Sequence, residues 1–383
     1  MSKNLVQNKT LSENILLVSE YYPPHWTGLS NSFHILAQNL QAQGHSVEVL
    51  TTQFDRHTKR QDVIDGVPVF RVPYQIKISR THYSIKIVWE FIKKVSSKSV
   101  VIINSPNSNI LFYSILAKMF GKKLSIYHQA DILLPRQTGN RLVHYFIERI
   151  FDLSTIPSVL LADTISSFTR DYASFSRVLR FGLYKFRPYI PHVTLSKETP
   201  TTQFKNRLDV LAKKHTLIGI SGRFVEEKGF DVLFQAIPLI LKKVPNAHII
   251  FAGKKVVEYE PFYERHKALF ENEAKHVTFL GLLAGGNYAY FYGKLKVFVL
   301  SSRIECFALT QIEAVRKKIP IVVTNVAGAR MLVKSSGFGE IAEREDPISL
   351  AEAIVKVITN HTAYAKNHSE AVAFLEKYQD FRL

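Results

Sequence analysis

The chain has 383 residues, with 50 Lys and Arg against 32 Asp and Glu, for a formal net charge of +18. That length is too great for one ordinary core and suits two domains, and hydrophobic and charged shares of 46% and 21% are those of a globular protein. One cysteine, Cys306, excludes an internal disulfide; the chain opens on a polar stretch, and no apolar run approaches the ~20 residues of a spanning helix, so a cytoplasmic, reducing location is expected.

Short apolar runs at 14–19, 46–52, 67–72, 99–103 and 123–127 read as strands alternating with helical stretches, the βαβ pattern of a parallel sheet. Ile15-Leu16-Leu17-Val18 leads to Tyr22-Pro23-Pro24 and Thr27-Gly28, then to Leu36-Ala37, Leu40 and Gly44-His45-Ser46-Val47-Glu48-Val49-Leu50. No Gly-x-Gly-x-x-Gly follows the first strand, which argues against a nicotinamide dehydrogenase. The strand Leu124-Ser125-Ile126-Tyr127 ends at His128, with Asp131 close behind. Pro188 to Gln203, rich in Pro, Thr, Ser and Lys, reads as a linker between a first domain over 1–195 and a second over 205–362. The stretch from about 363 to 383 reads as helical.

In the second half the strand pattern restarts at 216–221, 247–253, 276–281, 296–301 and 319–324. Gly222-Arg223-Phe224-Val225-Glu226-Glu227-Lys228-Gly229 follows the first of these and opens into a helix over Asp231 to Leu241. Glycines after a strand let backbone approach a ligand, and Arg223 and Lys228 add two cations suited to phosphate. Downstream, Ser301-Ser302-Arg303-Ile304-Glu305-Cys306-Phe307-Ala308-Leu309-Thr310-Gln311-Ile312-Glu313-Ala314 places Glu305 in a loop and Glu313 inside a short helix. Backbone N–H groups near Ala308, Leu309 and Thr310 would be free at that helix start and suit an anion. The alternative is an exposed glutamate beside a helix start and a second, solvated one. Cys306 reads as an inert small residue.

Taken in order, Gly222-Arg223 through Lys228-Gly229, Glu305 and Glu313, Ala327-Gly328 after Val322-Val323-Thr324, and Asp346-Pro347 through Ile354 resemble the second half of a retaining GT-B glycosyltransferase of family four, the glycosyl transferases group 1. The first-half segments resemble it too, so the likeness covers nearly the whole chain. It implies an α/β GT-B fold, with two Rossmann-like domains facing across a cleft and the end of the chain, Glu370 to Tyr378, crossing back to the first. In such sheets ligands bind beyond the carboxyl ends of the strands.

The resemblance also implies roles. Arg223 and Lys228 neutralise the diphosphate of a nucleotide-sugar donor, a UDP- or GDP-sugar. Glu313 holds the ribose hydroxyls, and Glu305 contacts the donor sugar, helped by backbone amides of Phe307, Ala308, Leu309 and Thr310. Gly28 lets the first-domain loop approach the diphosphate or the acceptor, and Gly222 lets the second-domain loop approach the donor. His128 lies near the transferred sugar, and Asp131 orients it or meets the acceptor. No Asp-x-Asp stands in the chain, so no metal and no cofactor are expected. The implied reaction is metal-independent, retaining hexosyl transfer to a saccharide or lipid-linked saccharide in surface polysaccharide or glycolipid synthesis. A sugar-nucleotide epimerase and a non-catalytic nucleotide-sugar binder remain alternatives. The chain departs from the family pattern where Glu305-Cys306-Phe307-Ala308 replaces Glu-Gly-Phe-Gly, where Thr27-Gly28 replaces a double glycine, at Ser301, and at Pro191-His192-Val193.

The charge is uneven. Lys77, Arg80, Lys86, Lys93, Lys94, Lys98, Lys118, Lys122 and Lys123 fall in a stretch whose only acid is Glu90. Within it Ile87, Val88, Phe91, Ile92 and Val95 follow helical spacing, with Tyr83 and Trp89 nearby. Such a helix fits either an anionic membrane surface, as a peripheral protein of the inner leaflet, or an ordinary domain helix with a solvated lysine face. No nucleic-acid motif accompanies the charge, and nucleic acid is not expected as a partner.

Overall fold

The protein is described from a computed structural model over residues 12–25, 27–78, 81–134, 140–257 and 260–383. The polar start, Arg80 and the side chains of Lys77 and Tyr83 lie outside the described residues.

The first half builds β1 (Asn14–Ser19), β2 (Ser46–Gln53), β3 (Gln61–Ile64), β4 (Val67–Pro73), β5 (Ile76–Ile78), β6 (Thr81–Tyr83), β7 (Val100–Ser105), β8 (Lys123–His128), β9 (Thr164–Ser167) and β10 (Phe186–Pro188). Eight of these form one sheet in the order β10-β9-β8-β7-β1-β2-β4-β3, while β5 and β6 pair separately. The sheet is parallel except where β3 meets β4. The second half builds β11 (Thr216–Ser221), β12 (Ala247–Ala252), β13 (Val277–Gly281), β14 (Val297–Leu300), β15 (Ile321–Thr324) and β16 (Gly339–Ala342). They form a parallel sheet in the order β13-β12-β11-β14-β15-β16. Val100 to Ser105 and Ala247 to Ala252 are buried throughout, as expected of strands covered by helices on both faces.

One core lies between the first sheet and the helices Ile85–Val95, Ile110–Met119 and Arg141–Leu161. The opposite face of that sheet carries the Gly28–Ala42 helix, and its core continues into the second domain. A third core fills one side of the second sheet around Phe224, Phe230 and Phe251. In each sheet the chain reverses its direction of travel at the first strand: β1 lies between β7 and β2, and β11 between β12 and β14. The segments after β1 and β11, carrying Gly28 and Gly222, leave the sheets at these switch points, where crevices for ligands form.

The Ile85–Val95 helix turns Ile87, Phe91 and Val95 into the core, so its apolar stripe is that of an ordinary domain helix. Ile85 and Trp89 alone of its large apolar side chains stand well exposed. The His368–Glu376 helix stays on the second domain, burying Ala371 and Leu375 and joining His368 Nε2 to the Val315 carbonyl at 2.9 Å. The return to the first domain comes after it. The Ile190 N–H donates to the Tyr378 carbonyl at 2.7 Å, and Phe381 packs against Tyr127 and Tyr189.

Candidate active site

The turn after β11 places Lys228 in a short helical turn, Glu226–Lys228, closed by Gly229. Gly229 has φ 61°, and a Cβ there would stand 2.1 Å from the Ser301 carbonyl oxygen. Only glycine lets this turn lie against the loop after β14. The closeness joins Lys228 to Glu305: Lys228 Nζ donates to Glu305 Oε2 at 2.7 Å. Burial works to lower the Lys228 pKa, but the Glu305 and Glu227 carboxylates outweigh it and the net shift is upward. Glu305 is buried, and its Oε1 accepts from the Cys306 amide at 3.2 Å. Arg223 is half-exposed, with Nη2 at 2.9 Å from Glu227 Oε1. Gly222 at φ 142° meets open space where a Cβ would stand.

The loop then turns at Ala308, which has φ 66° and ψ 103° before the Leu309–Arg316 helix. This is glycine-favouring backbone occupied by an alanine. No side chain caps that helix start, which leaves its first amides to a ligand or water. Phe307 is fully buried and stacks on Phe168 of the first domain, with ring centroids 5.7 Å apart. Only its backbone is available to a donor. Burial, then the neighbouring Glu305, pushes the Cys306 thiol well up, so it stays protonated.

Glu313 lies one helical turn inside. Its Oε2 accepts from Tyr288 Oη at 2.6 Å and from Tyr292 Oη at 2.7 Å. Burial pushes the Glu313 carboxyl up to about 7, although the two tyrosine bonds act the other way. Sequence reasoning missed both tyrosines. Their four-residue spacing, which puts them on one helix face, is the signal that could have found them.

Across the seam, His128 closes β8 and is almost fully buried. Its Nδ1 lies 2.9 Å from Ser105 Oγ and its Nε2 lies 3.0 Å from Asp131 Oδ1. Burial alone would raise the Asp131 pKa, but bonds from His128, the Arg177 amide and Ser176 hold it down at about 2. With Asp131 ionised, the assignment that satisfies both contacts has Nε2–H donating to Asp131 and Nδ1 accepting from Ser105. Both ring nitrogens are therefore engaged, and a contact from this ring to a sugar requires one bond to exchange. Both Asp131 oxygens also accept protein hydrogen bonds, Oδ1 from Ser176 Oγ and Oδ2 from the Arg177 amide. Asp131 is thus placed to hold His128. Gly28 is exposed at the start of the Gly28–Ala42 helix, which Thr27 and Ser30 cap.

The two halves meet around Cys306, which packs against the cores of both domains. An ion pair ties them nearby: Arg330 Nη2 and Nε lie 2.8 and 2.9 Å from Asp171 Oδ1 and Oδ2. The Gly328 amide also donates to Asp171 Oδ2 at 3.2 Å, and a Cβ on Gly328 would stand 2.2 Å from the Cys306 carbonyl oxygen. So Lys228 and Glu305 are directly joined, as are His128 and Asp131. Arg223 pairs with Glu227, whose charge also reaches Lys228, and Glu313 bonds Tyr288 and Tyr292.

Residues 203–372 match the family described as glycosyl transferases group 1. The chain is 30% identical over 152 residues to the capsular polysaccharide biosynthesis glycosyltransferase CapM of Staphylococcus aureus, covering 40% of this chain and 39% of that one. It is 23% identical to a phosphatidylinositol N-acetylglucosaminyltransferase subunit of Arabidopsis thaliana over 90% of this chain and 74% of that protein. Among solved structures, Anabaena HepE in complex with UDP superposes with a TM-score of 0.71 at 15% identity, over 96% of each chain. Residues 203–372 are thus similar to the glycosyl transferases group 1, and the two Rossmann-like sheets have the GT-B fold of the solved neighbours.

Proposed function

We propose that this protein is a retaining, metal-independent glycosyltransferase that moves a hexosyl group from a nucleotide-diphosphate sugar to a saccharide or lipid-linked saccharide acceptor. The observation that carries the reading is the Lys228–Glu305 pair at the carboxyl edge of the second sheet, beside a helix start that no side chain caps. Arg223 and Lys228 bind the diphosphate, and Glu313 accepts from the ribose hydroxyls in exchange for a tyrosine. Glu305 contacts the sugar, with amides of Phe307, Ala308, Leu309 and Thr310 beside it. Gly28 and Gly222 leave room for the donor at the two strand edges. His128, held by Asp131, lines the first-domain side.

In the reaction an acceptor oxygen bonds to the anomeric carbon on the face from which the diphosphate departs. The bond from that carbon to the diphosphate oxygen breaks, and the acceptor proton passes to the diphosphate. Preorganised cations and amides stabilise the charge that develops on the leaving group. The glutamates serve as binders, unlike the acid and nucleophile of a glycosidase. A solved GT-B neighbour, Anabaena HepE, holds UDP-glucose, which supports UDP-sugars as the first donors to try. Relatives named for capsular polysaccharide biosynthesis and for N-acetylglucosaminyl transfer to phosphatidylinositol support a role in surface polysaccharide or glycolipid synthesis. The reading places the enzyme in the cytoplasm, on the inner membrane face. Among the described residues no helix is long and apolar enough to cross a membrane.

The test is a thermal-shift titration with UDP-, GDP- and ADP-sugars in the presence of EDTA. Stabilisation by one nucleotide series, lost in Glu313→Ala and Arg223→Ala, supports the assignment. A shift that both variants retain, or none at all with wild type, refutes it. Turnover with and without acceptor separates transfer from epimerisation.

A further inference from the structure

The Arg141–Leu161 helix is turned inside out. A surface helix normally hides its apolar stripe and shows its polar one. Here the side facing the core carries Asp152, Thr155 and Ser158 beside Val159. The solvent side carries Leu142, Phe146, Ile150, Leu153 and Leu160, exposed by 69, 62, 64, 71 and 53%. Their spacing puts them on one face along the whole helix. The inversion is held from within, since Asp152 takes two bonds from Arg177, at 2.9 and 3.2 Å.

The face does not stop at one helix. The Ile110–Met119 helix packs alongside and exposes Phe112 and Met119, and the Ile85–Val95 helix beyond it exposes Ile85 and Trp89. Scattered exposed apolar residues need no explanation, but a contiguous face across adjacent helices marks a docking surface. Charge then selects the partner. Residues 85–134 and 140–187, which build this layer, carry 14 Lys and Arg against six Asp and Glu, close to half of the chain's net charge of +18. Lys86 and Arg180 are exposed within that stretch. A second copy of the chain would bring two basic surfaces together, whereas anionic lipid neutralises them.

We propose that this face, centred on the apolar stripe of the Arg141–Leu161 helix, seats the first domain on an anionic phospholipid bilayer. The apolar side chains enter the interface and the lysines and arginines meet the headgroups. The middle of the helix lies at the strand edge that holds His128 and Asp131: Asp152 bonds Arg177, whose amide donates to Asp131, and Glu148 accepts from the Leu134 amide. The inference rests on the glycosyltransferase reading only in this last respect: a lipid-linked acceptor in the bilayer would lie at the mouth of the cleft.

Sedimentation of the full chain with vesicles tests it without donor or acceptor. Vesicles of phosphatidylcholine with added phosphatidylglycerol should carry the protein down, and phosphatidylcholine alone should do so much less. The variant L142S/F146S/I150S should bind the anionic vesicles roughly tenfold more weakly or worse, with an unfolding temperature no lower than wild type. Lys86→Glu with Arg180→Glu should weaken binding to anionic vesicles and leave the apolar stripe intact. Absence of wild-type binding to anionic vesicles, or equal binding by L142S/F146S/I150S, overturns the proposal. So does light scattering that shows a dimer which the same variant dissociates. The donor thermal shift is read separately, so a failure of membrane binding is distinguishable from a failure of the catalytic reading.

Discussion

Glu313 takes hydroxyl donors from Tyr288 and Tyr292, and among the described residues no cation pairs with it. Burial raises its pKa from 4.5 to about 7. For an acid shifted upward, the stabilising contribution is complete below about 4.5 and lost as pH rises through about 7. Glu313→Gln should therefore flatten the fall in unfolding temperature across that window, and a parallel curve in the variant would refute the shift. Ribose hydroxyls favour the ionised carboxylate, so donor affinity should move the other way and rise with pH over the same range. The acid itself was legible in the sequence, as a glutamate among Leu309, Ile312, Ala314 and Val315. Its donors lie more than 20 residues upstream on another helix, where local pattern carries no information about them.

The loop into the Leu309–Arg316 helix shows what a departure from a family pattern costs in backbone terms. Ala308 stands where the pattern has glycine, yet the chain keeps φ 66° there. A side chain in that region is strained by about 1 kcal/mol or more. Part of that is recovered because alanine loses less backbone freedom on folding than glycine. Ala308→Gly should thus raise stability by about 0.5–1 kcal/mol and leave the Lys228–Glu305 pair in place. An unchanged denaturation midpoint would show that the alanine sits without strain. Strongly apolar strands such as β1 and β7 were readable from sequence, while β9 (Thr164–Ser167) and the edge strand β3 were not, since polar residues in a short run mimic a loop. Helical periodicity located the stripe of the Ile85–Val95 helix but not its direction. The same limit hid the outward stripe of the Arg141–Leu161 helix, because period alone does not say which face meets the sheet.

For the whole molecule, the two-domain α/β organisation was visible in the restart of the strand pattern near 216, whereas the contacts that set one domain against the other were not. Asp171 and Arg330 are 159 residues apart and form a two-pronged pair across the seam. Partial burial and bidentate geometry make such a pair worth more than a surface contact. A double-mutant cycle on Asp171→Asn and Arg330→Gln should give a coupling of about 1–2 kcal/mol. Small-angle scattering should show the variants more open than wild type, and identical profiles would mean that the pair does not set the closure.

The double crossing near Ile190 and Tyr378 has a mechanical consequence. The chain passes between the domains there once going out and once coming back, and the two passes are bonded to each other. Two parallel cords tied side by side permit bending about one line and resist sliding and twist. Any opening of the cleft would therefore be a swing about a single axis. Its pivot would lie by Tyr189 and Phe381, whose rings meet there, and the largest travel would fall on the loops furthest from them.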